Sequence, residues 1–579
     1  MNNQKDSIYE NMNRKNMLCV FFMGVLIGTV YFLAIYGVRP LNVCDDSWLL
    51  SGGDLSQHYF GWCFYRNSSW QYPIGMIDGL MYPDKLCITY TDSIPLFAII
   101  FKVLSPILPK TFQYFGLWGI FSYMMLGGLS SILIHKVTPK WYLCGVGSAF
   151  FVMSPYVLQR MFKHTSLAGQ WIIIAALIIV VYKPFFNNFR RQLTAWAALL
   201  FIAAFTHIYF VPMVAIFMFG FCVEDVLANV DHIGKSFLKN LCLGICSCIP
   251  ALIGLKLLGS FDGTSNLSAD GLGEYSANLN VLFNPQGYAG HNIFPILKSL
   301  QTQYEGFGYL GAGIILLAIS ILFYKIFASF LKKRLQKSVQ VKDNSENKRQ
   351  IFGRWIKKHA FAIAMIIVSI IFIVFALSPI ITWGDQELTT IHYPGFVIKI
   401  WSMFRATGRF IWCIDYIIFT WALMGVMRIG EKMISMILLF ACFAVQVYDL
   451  MPLMSMSHYW SASLESTLMP LNDERWNQWA DQYDHIQFMP YYVCHAHQEW
   501  MFSLADYAKD HHMTLNYYVS ARTDFERLEA LQQQVYEELA NGEGRKDTLY
   551  IFMDEDSAEN SGLTIYNVDG LFVGIANYR

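Results

Sequence analysis

The residues that could do chemistry begin just after the first apolar run of the chain. Asp54 and His58 are four positions apart, so a helix would place them on one face. Carboxylates among aromatic rings suit a sugar, because a ring's C–H face stacks on an indole while its hydroxyls bond to the acids. Asp54 is therefore the catalytic candidate, and an aromatic belt with a helix-capping Asp is the alternative. The substrate-binding candidates around it are Asp45, Asp46, Gln57, His58 and Trp62.

A second set of polar residues lies at the ends of later apolar segments. Asp92 precedes Ser-Ile-Pro, a pattern typical of a helix N-cap, with a direct role as the alternative. Polar groups at membrane depth are costly and need partners. Arg405 and Arg409 are four apart and could present two guanidiniums to a phosphate, whereas a single Arg would more simply snorkel to lipid headgroups. The further binding candidates in this set are Arg160, His164, His207, Tyr209 and Glu305.

The composition indicates a membrane protein. The 579 residues are 55% hydrophobic and 15% charged, with 42 basic and 42 acidic side chains. Soluble proteins carry roughly 25% charged residues. The low charge and zero net charge exclude a disordered chain and a nucleic-acid binder, and argue against an ordinary soluble enzyme. The twelve Cys form no CxxC pair and no Cys/His zinc spacing, so they predict no zinc site, and a divalent metal elsewhere is an alternative that is not favoured.

Apolar runs and the placement of Lys and Arg predict the topology. The segment 329–359 holds ten Lys or Arg against two acids, which makes it a cytoplasmic loop. The stretch 91–108 either spans or lies at the interface, and the interfacial choice keeps the other basic loops inside. The run 193–224 then supplies two short helices, broken near His207. We therefore expect about eleven spans, with a cytoplasmic N-terminus and an external C-terminus. The external loops are 38–112, 158–166, 259–308 and 381–408.

The C-terminal part differs from the rest. Residues 1–450 form the transmembrane domain, while 451–579 carry 20 acidic and 7 basic residues. Strand-length apolar runs alternate with helical periodicity there, with strands expected at 485–489, 515–520, 548–552, 563–567 and 571–575. Such alternation predicts a small α/β domain outside the membrane. It is expected to be a structural or recognition module.

The layout resembles the GT-C superfamily of polytopic membrane glycosyltransferases. Gly53-Asp54 with Gln57-His58-Tyr59, Thr91 to Leu96, Tyr304 to Phe307 and Arg405 to Phe410 are also similar to a family of uncharacterised bacterial membrane proteins placed in that group. The resemblance implies a large first external loop with an essential acid, which maps best onto Asp54. Asp45 and Asp46 remain competitors.

The resemblance also implies an activity. It suggests an inverting transferase in the bacterial cytoplasmic membrane that moves a sugar from a polyprenyl-phosphate donor to a glycan, lipid or protein acceptor on the outer face. No Asp or Glu occurs between 158 and 170, where oligosaccharyltransferases hold metal ligands, so metal-free chemistry is favoured. A transporter or lipid-linked glycan flippase and a non-catalytic envelope scaffold are the alternative functions.

Overall fold

The computed structural model describes most of the chain. The described residues are 2–262, 271–288, 293–336, 348–429, 432–494 and 497–576. The middle of the predicted basic loop, 337–347, lies outside them.

The protein is mostly helical, and apolar helices form its larger part. Eight helices of the described residues are long and apolar enough to cross a membrane, which confirms the coarse prediction of a multi-pass membrane protein. A charged side chain is costly in lipid, so helices made of long apolar runs suit the interior of a membrane. Their bounds are Asn2–Tyr36, Phe115–His135, Phe210–Ala228, Ile233–Leu258, Ala312–Gln336, Lys348–Leu377, Ile411–Met427 and Lys432–Ala462.

Shorter helices fill the space between the long ones. Within the run 193–224 the chain turns at His207, which separates Phe189–Thr206 from the next helix. The stretch 91–108 holds the helix Pro95–Leu104, which is only 10 residues long. Ten residues rise about 15 Å, roughly half the hydrocarbon thickness, so this helix is too short to cross alone. The other short helices are Trp141–Val152, Pro155–Arg160 and Trp171–Val181.

The loops between the helices carry local structure of their own. In the first long loop, the helix Gly53–Asn67 is followed by the antiparallel strands Met76–Ile77 and Leu86–Cys87. A second hairpin pairs Ile380–Trp383 with Gln386–Thr390. The remaining elements of these loops are the helix Gly395–Trp401 and the 3-10 turns Arg39–Leu41, Ser47–Leu50, Ile88–Thr91, Ser105–Ile107, Thr165–Ala168, Lys183–Phe185, Val230–His232, Gln301–Gly306 and Thr407–Phe410.

The C-terminal part is the small α/β domain that the sequence predicted. Its five strands lie in the order Thr514–Leu515, His485–Met489, Thr548–Phe552, Leu571–Ile575 and Thr564–Val568. The first three are parallel, and the last two pair antiparallel. Its helices are Arg475–Trp479, Gln498–Asp510, Phe525–Ala540 and Glu555–Glu559.

One predicted strand of this domain is much shorter than expected. The sequence pattern indicated a strand over 515–520, but pairing stops at Leu515. Beyond it the Tyr518 hydroxyl donates to the backbone carbonyl of Gln57, 2.7 Å away in the first long loop. The side chains that suggested a strand are thus buried against another part of the molecule.

The first long loop continues the sheet of the C-terminal domain. The Leu515 N–H donates to the Gly79 carbonyl at 2.9 Å, and the Tyr82 N–H donates to the Leu515 carbonyl at 2.8 Å. Phe60 of the loop and Phe502 of the domain also stack on each other, with ring centroids 5.9 Å apart. Backbone pairing covers a strand edge that would otherwise be exposed. The domain is therefore seated on the loop that carries Asp54.

Candidate functional site

A polar cavity of about 300 Å³ lies between the loops and the C-terminal domain. That volume is at the lower end of the range of small-molecule sites, about 300–1,000 Å³. It gathers residues spread over more than 400 positions of the sequence. The predicted residues that line it are Asp54, Gln57, Asp92, His164, His207, Tyr209, Glu305, Arg405 and Arg409.

Asp54 is joined to Glu305 through an imidazole. His164 Nε2 lies 3.2 Å from Asp54 Oδ2 and 3.4 Å from Glu305 Oε1. The Asp54 side chain is 47% exposed, whereas that of Glu305 is 6% exposed. An N–H at Nε2 can serve either carboxylate. Asp54 is therefore an accessible carboxylate with a proton-carrying group directly behind it.

Glu305 is the centre of a buried ion cluster. Its Oε2 lies 2.8 Å from Arg160 Nη2, and it accepts from Arg409 Nε at 3.0 Å and Nη2 at 2.9 Å. Burial raises the pKa of Glu305, but Arg160 and Arg409 outweigh it, so that pKa lies well below its usual value. The carboxylate is thus charged, and Arg160 sits behind the cavity wall as its buried partner.

Two glycines bring the loops of this cluster together. A Cβ on Gly408 would lie 2.5 Å from the Cα of Gly306 and 2.8 Å from the carbonyl carbon of Ser276. The Gly408 N–H also donates to the Tyr275 carbonyl at 2.9 Å. A larger residue cannot fit such backbone contacts. Arg409 follows Gly408 in the chain, and Glu305 precedes Gly306. The close approach of the two glycines therefore brings the side chains of Arg409 and Glu305 together.

His207 holds Asp92 as a neutral imidazole. The Tyr209 N–H donates to His207 Nδ1 at 3.2 Å, so the ring proton sits on Nε2, which faces Asp92 Oδ1 at 3.2 Å. Burial lowers the pKa of His207, in part offset by Asp92. Burial raises the pKa of Asp92, but the facing His207 and His58 outweigh it, so the net shift is downward. Asp92 is therefore an ionised acceptor in the cavity.

The expected capping role of Asp92 is wrong. The helix Pro95–Leu104 has Ile94 as its N-cap, and Asp92 sits in the left-handed region with φ 53°. Its neighbour Ser93 donates to the His58 carbonyl at 2.7 Å. A Cβ on Gly61 would lie 2.6 Å from the Ser93 hydroxyl oxygen. The chain is thus locked against the helix Gly53–Asn67, which turns Asp92 into the cavity.

His58 is buried behind Asp92 without a hydrogen-bond partner. Neither ring nitrogen is bonded among the described residues, and Nε2 stands 4.0 Å from Asp92 Oδ2. Burial, only partly offset by Asp92 and Asp54, lowers the pKa of His58 to about 4. The ring is therefore neutral at physiological pH.

His58, Asp92 and His164 could hold a metal ion. One potential ligand atom from each lies within 4.8 Å of the others. Imidazole nitrogens and a carboxylate are a ligand set that zinc accepts. His164 Nδ1, like both nitrogens of His58, has no hydrogen-bond partner among the described residues. The chemistry of these donors fits a divalent cation.

Arg405 and Arg409 do not form one two-pronged face. Arg409 is turned to Glu305, with its guanidinium 4.7 Å from the centre of the Tyr209 ring. Arg405 lies 4.3 Å from the centre of the Tyr275 ring and donates to the Tyr275 hydroxyl. The backbone at 407–410 is a 3-10 turn, so a spacing of four does not align these side chains.

Five predicted residues do not line the cavity: His58 and Arg160, which are buried behind its wall, and Asp45, Asp46 and Trp62. Asp45 pairs with Arg39 at 3.2 Å, and Asp46 accepts from the Tyr59 hydroxyl at 2.5 Å. The indole N–H of Trp62 donates to the Phe112 carbonyl at 2.9 Å in a buried position. These contacts give each of the last three a structural partner away from Asp54.

The C-terminal domain also lines the cavity, a contribution that the sequence pattern did not predict. The segment 519–522 lines the cavity, together with Tyr90 and Tyr275 from the loops. The Ala521 N–H donates to the Tyr90 carbonyl at 2.9 Å, which fixes the segment there. One signal was present in the sequence: Arg522 is a basic residue in a strongly acidic domain.

Comparisons with known proteins identify the family of the chain. A family model described as "Domain of unknown function (DUF6311)" matches residues 25–451. A second, described as "DUF6311 C-terminal domain", matches residues 475–576. No curated protein and no solved structure matches the chain.

Proposed function

This chain belongs to the DUF6311 family, whose activity is unknown, and we propose that it is an inverting glycosyltransferase of GT-C type. Its donor is a polyprenyl-phosphate-linked sugar, and its acceptor is a glycan, lipid or protein of the cell envelope. One observation carries the proposal. An accessible carboxylate, Asp54, shares a cavity with guanidinium groups at the end of a bundle of apolar helices.

The proposed arrangement is that of a protein of the bacterial cytoplasmic membrane. Adding the helices Trp141–Val152, Trp171–Val181 and Phe189–Thr206 to the eight long ones makes eleven crossings. These three helices are short, which a membrane tolerates where protein surrounds them. The N-terminus then lies inside, and the C-terminal domain and the cavity lie at the outer face.

In the proposed reaction, Asp54 acts as the general base. It takes the proton from an acceptor hydroxyl while that oxygen bonds to the anomeric carbon of the sugar. The bond from that carbon to the phosphate oxygen breaks, and the polyprenyl phosphate leaves with the electron pair. Attack opposite the leaving group inverts the anomeric centre. His164, 3.2 Å from Asp54, can orient the base or carry its proton onward.

Cationic groups stabilise the leaving phosphate in this mechanism. Arg405 makes no ion pair among the described residues and lines the cavity, so its full charge faces the ligand. Arg409 is partly neutralised by Glu305 and serves mainly to shape the site. Preorganised cations lower the barrier most in a site shielded from water. Gln57, His207 and Tyr209 line the same space and can hydrogen-bond sugar hydroxyls.

An apolar groove offers a place for the polyprenyl chain. It has a volume of about 660 Å³ and lies between the helices Phe210–Ala228 and Ile233–Leu258. The first of these helices begins directly after Tyr209, which lines the cavity. A chain of isoprene units is apolar and gains free energy in such a groove through close packing. The donor would thus lie with its head in the cavity and its tail along this helix.

The mechanism requires no metal ion. The positive charge that a divalent cation supplies at a leaving phosphate is already present in Arg405 and its neighbours. Were a cation bound by His58, Asp92 and His164, it would place additional positive charge beside Asp54. Without a cation, His164 can hydrogen-bond Asp54, and Asp92 can accept from a sugar hydroxyl in the cavity.

Transfer by the purified protein tests the proposal. Wild-type protein incubated with radiolabelled polyprenyl-phosphate sugars and membrane extract should move label to an acceptor. Asp54→Asn removes the base and should lower the rate by a factor of 10² or more. Asp45→Asn is the matched control, because Asp45 belongs to the same loop but lies outside the cavity.

Other outcomes would replace the proposal. Full activity in Asp54→Asn contradicts the role of this residue. Movement of intact donor across vesicles without transfer would indicate a flippase or transporter. If neither transfer nor movement occurs, a non-catalytic envelope scaffold becomes the better explanation.

A further inference from the structure

The C-terminal domain provides a wall of the cavity. After Leu515 the chain leaves the sheet, and residues 519–522 extend over the site. Ala521 is bonded to Tyr90 of the first long loop, and Arg522 Nη2 donates to the Met403 carbonyl at 2.6 Å. The segment therefore bridges the loop that carries Asp54 and the loop that carries Arg405.

Arg522 is unusual among the basic residues of its domain. Most of the others have a carboxylate partner: Arg475 with Asp473, Lys509 with Asp506, and Arg545 with Asp547. In the described part of the chain, Arg522 donates only to backbone carbonyls, those of Ala521 and Met403. A guanidinium has five N–H groups, so several remain for a ligand.

The cavity holds two kinds of arginine. Arg409, like Arg160 behind it, is bonded to Glu305, so the two guanidiniums share one negative charge. Arg405 and Arg522 both line the cavity and make no ion pair with any described residue. Met403, which Arg522 touches, is two positions from Arg405. Among the described residues, the cavity's two arginines without a carboxylate partner therefore lie where the C-terminal domain meets the segment 403–405.

We propose that Arg522, acting with Arg405, binds the phosphate of the lipid-linked donor, so that the C-terminal domain completes the donor site. This inference rests on the proposed function and adds a donor-binding residue that lies outside the membrane domain. Guanidiniums suit the role because their paired N–H groups match two phosphate oxygens. Arg522 is a binding residue here, and proton transfer stays with Asp54.

Direct binding of a prenyl phosphate tests the inference without relying on sugar transfer. Farnesyl phosphate is titrated into the purified full chain in detergent, with farnesol as the uncharged probe. We expect farnesyl phosphate to bind at least tenfold more weakly to Arg522→Ala, and farnesol to bind both proteins alike. Arg522→Lys should recover part of the affinity, since charge remains but the paired geometry is lost.

A matched variant separates binding from docking of the domain. Arg527→Ala removes an exposed ion pair with Asp84 at the same junction but no cavity group. It should bind farnesyl phosphate as the wild type does, and the thermal unfolding curves of both variants should overlay that of the wild type. Equal binding by Arg522→Ala and wild type, an equal loss in Arg527→Ala, or no binding to the wild type would overturn the inference. If farnesyl phosphate binds through Arg522 but no sugar is transferred, the phosphate site stands and the proposed function fails.

Discussion

Arg160 Nη2 and Glu305 Oε2 lie 2.8 Å apart, and both side chains are almost fully buried. The two residues are 145 positions apart in the chain. Arg160 also donates to the Glu305 carbonyl at 3.0 Å, so one guanidinium holds both the side chain and the backbone of the acid. Charge pairs of this kind are very sensitive to loss of one partner, because the other is left buried without compensation.

Glu305→Gln should therefore destabilise the fold strongly. The amide cannot balance Arg160 and Arg409, and removal of one partner from a buried pair costs about 3–5 kcal/mol. Denaturant titration of the purified protein measures the change in the free energy of unfolding. Glu274→Gln changes an exposed acid of the same external loop and should leave the unfolding curve unchanged. A Glu305→Gln curve that matches the wild type would refute the role of this cluster in stability.

Stability should fall in mild acid because of His58. The unfolded chain protonates this imidazole near its usual pKa of 6.5, whereas the folded protein resists until about 4. Between these values the unfolded state binds more protons, so stability is lost as the pH falls through this window, by about 3 kcal/mol in total. Asp92 and Glu305, with lowered pKa values, extend the loss to lower pH.

His58→Gln should flatten this pH dependence. Glutamine does not titrate, so the part of the slope due to His58 disappears. His207, whose pKa is also lowered, leaves a residual slope in the same direction. The titratable groups that face His58 are Asp54, Asp92, His164 and His207, and this variant leaves all four residues unchanged. Thermal unfolding from pH 7 to 4.5 in the presence of a chelator measures the effect, and identical slopes in both proteins would contradict it.

Filling the apolar groove should weaken the use of long polyprenyl donors but not that of short ones. Gly244 lines the groove and an added Cβ there would meet nothing within 4 Å, so we expect Gly244→Phe to direct its ring into the groove. We expect KM for a long polyprenyl donor to rise about tenfold and KM for a short prenyl donor to stay the same. Gly234→Phe is the control, since Gly234 has equal space on the same helix but lies outside the groove. Equal changes in KM for both donors would show that the polyprenyl chain lies elsewhere.

Removal of divalent metal should leave transfer unchanged. The proposed mechanism draws its positive charge from arginines, so EDTA treatment followed by buffer exchange should alter the rate less than twofold. Metal analysis of the purified protein provides an independent measurement. A lost rate that zinc or manganese restores in the wild type, but not in His58→Gln, would assign an ion to His58, Asp92 and His164.

Local patterns in the sequence predicted the parts of the fold that depend on residues close together in the chain. The turn at His207 was expected because polar residues interrupt an apolar run, and the structure places a break between two helices there. The α/β nature of the C-terminal domain followed from alternating periodicities. The residues that line the cavity were proposed mainly for their chemical type, since a buried or half-buried acid, imidazole or guanidinium needs a partner.

The sequence could not predict the surroundings of residues whose contacts depend on the tertiary fold. Asp45 and Asp46 looked like competitors of Asp54 by position, but Arg39 and Tyr59 bond to them. The strand expected over 515–520 ends early because Tyr518 is buried against Gln57. None of these three contacts can be read from periodicity: the first two, six and thirteen positions apart, depend on how the loop folds, and the third joins residues 461 positions apart. The pairing of Arg409 with Glu305 was missed for the same reason.

The pairing of Leu515 with the segment 79–82 also constrains how the chain threads the bilayer. Two segments that share backbone hydrogen bonds must sit in the same aqueous compartment. The polypeptide therefore crosses the lipid an even number of times between Tyr82 and Leu515, whatever the total. A reporter enzyme inserted near residue 84 and another fused after the last residue must give the same readout.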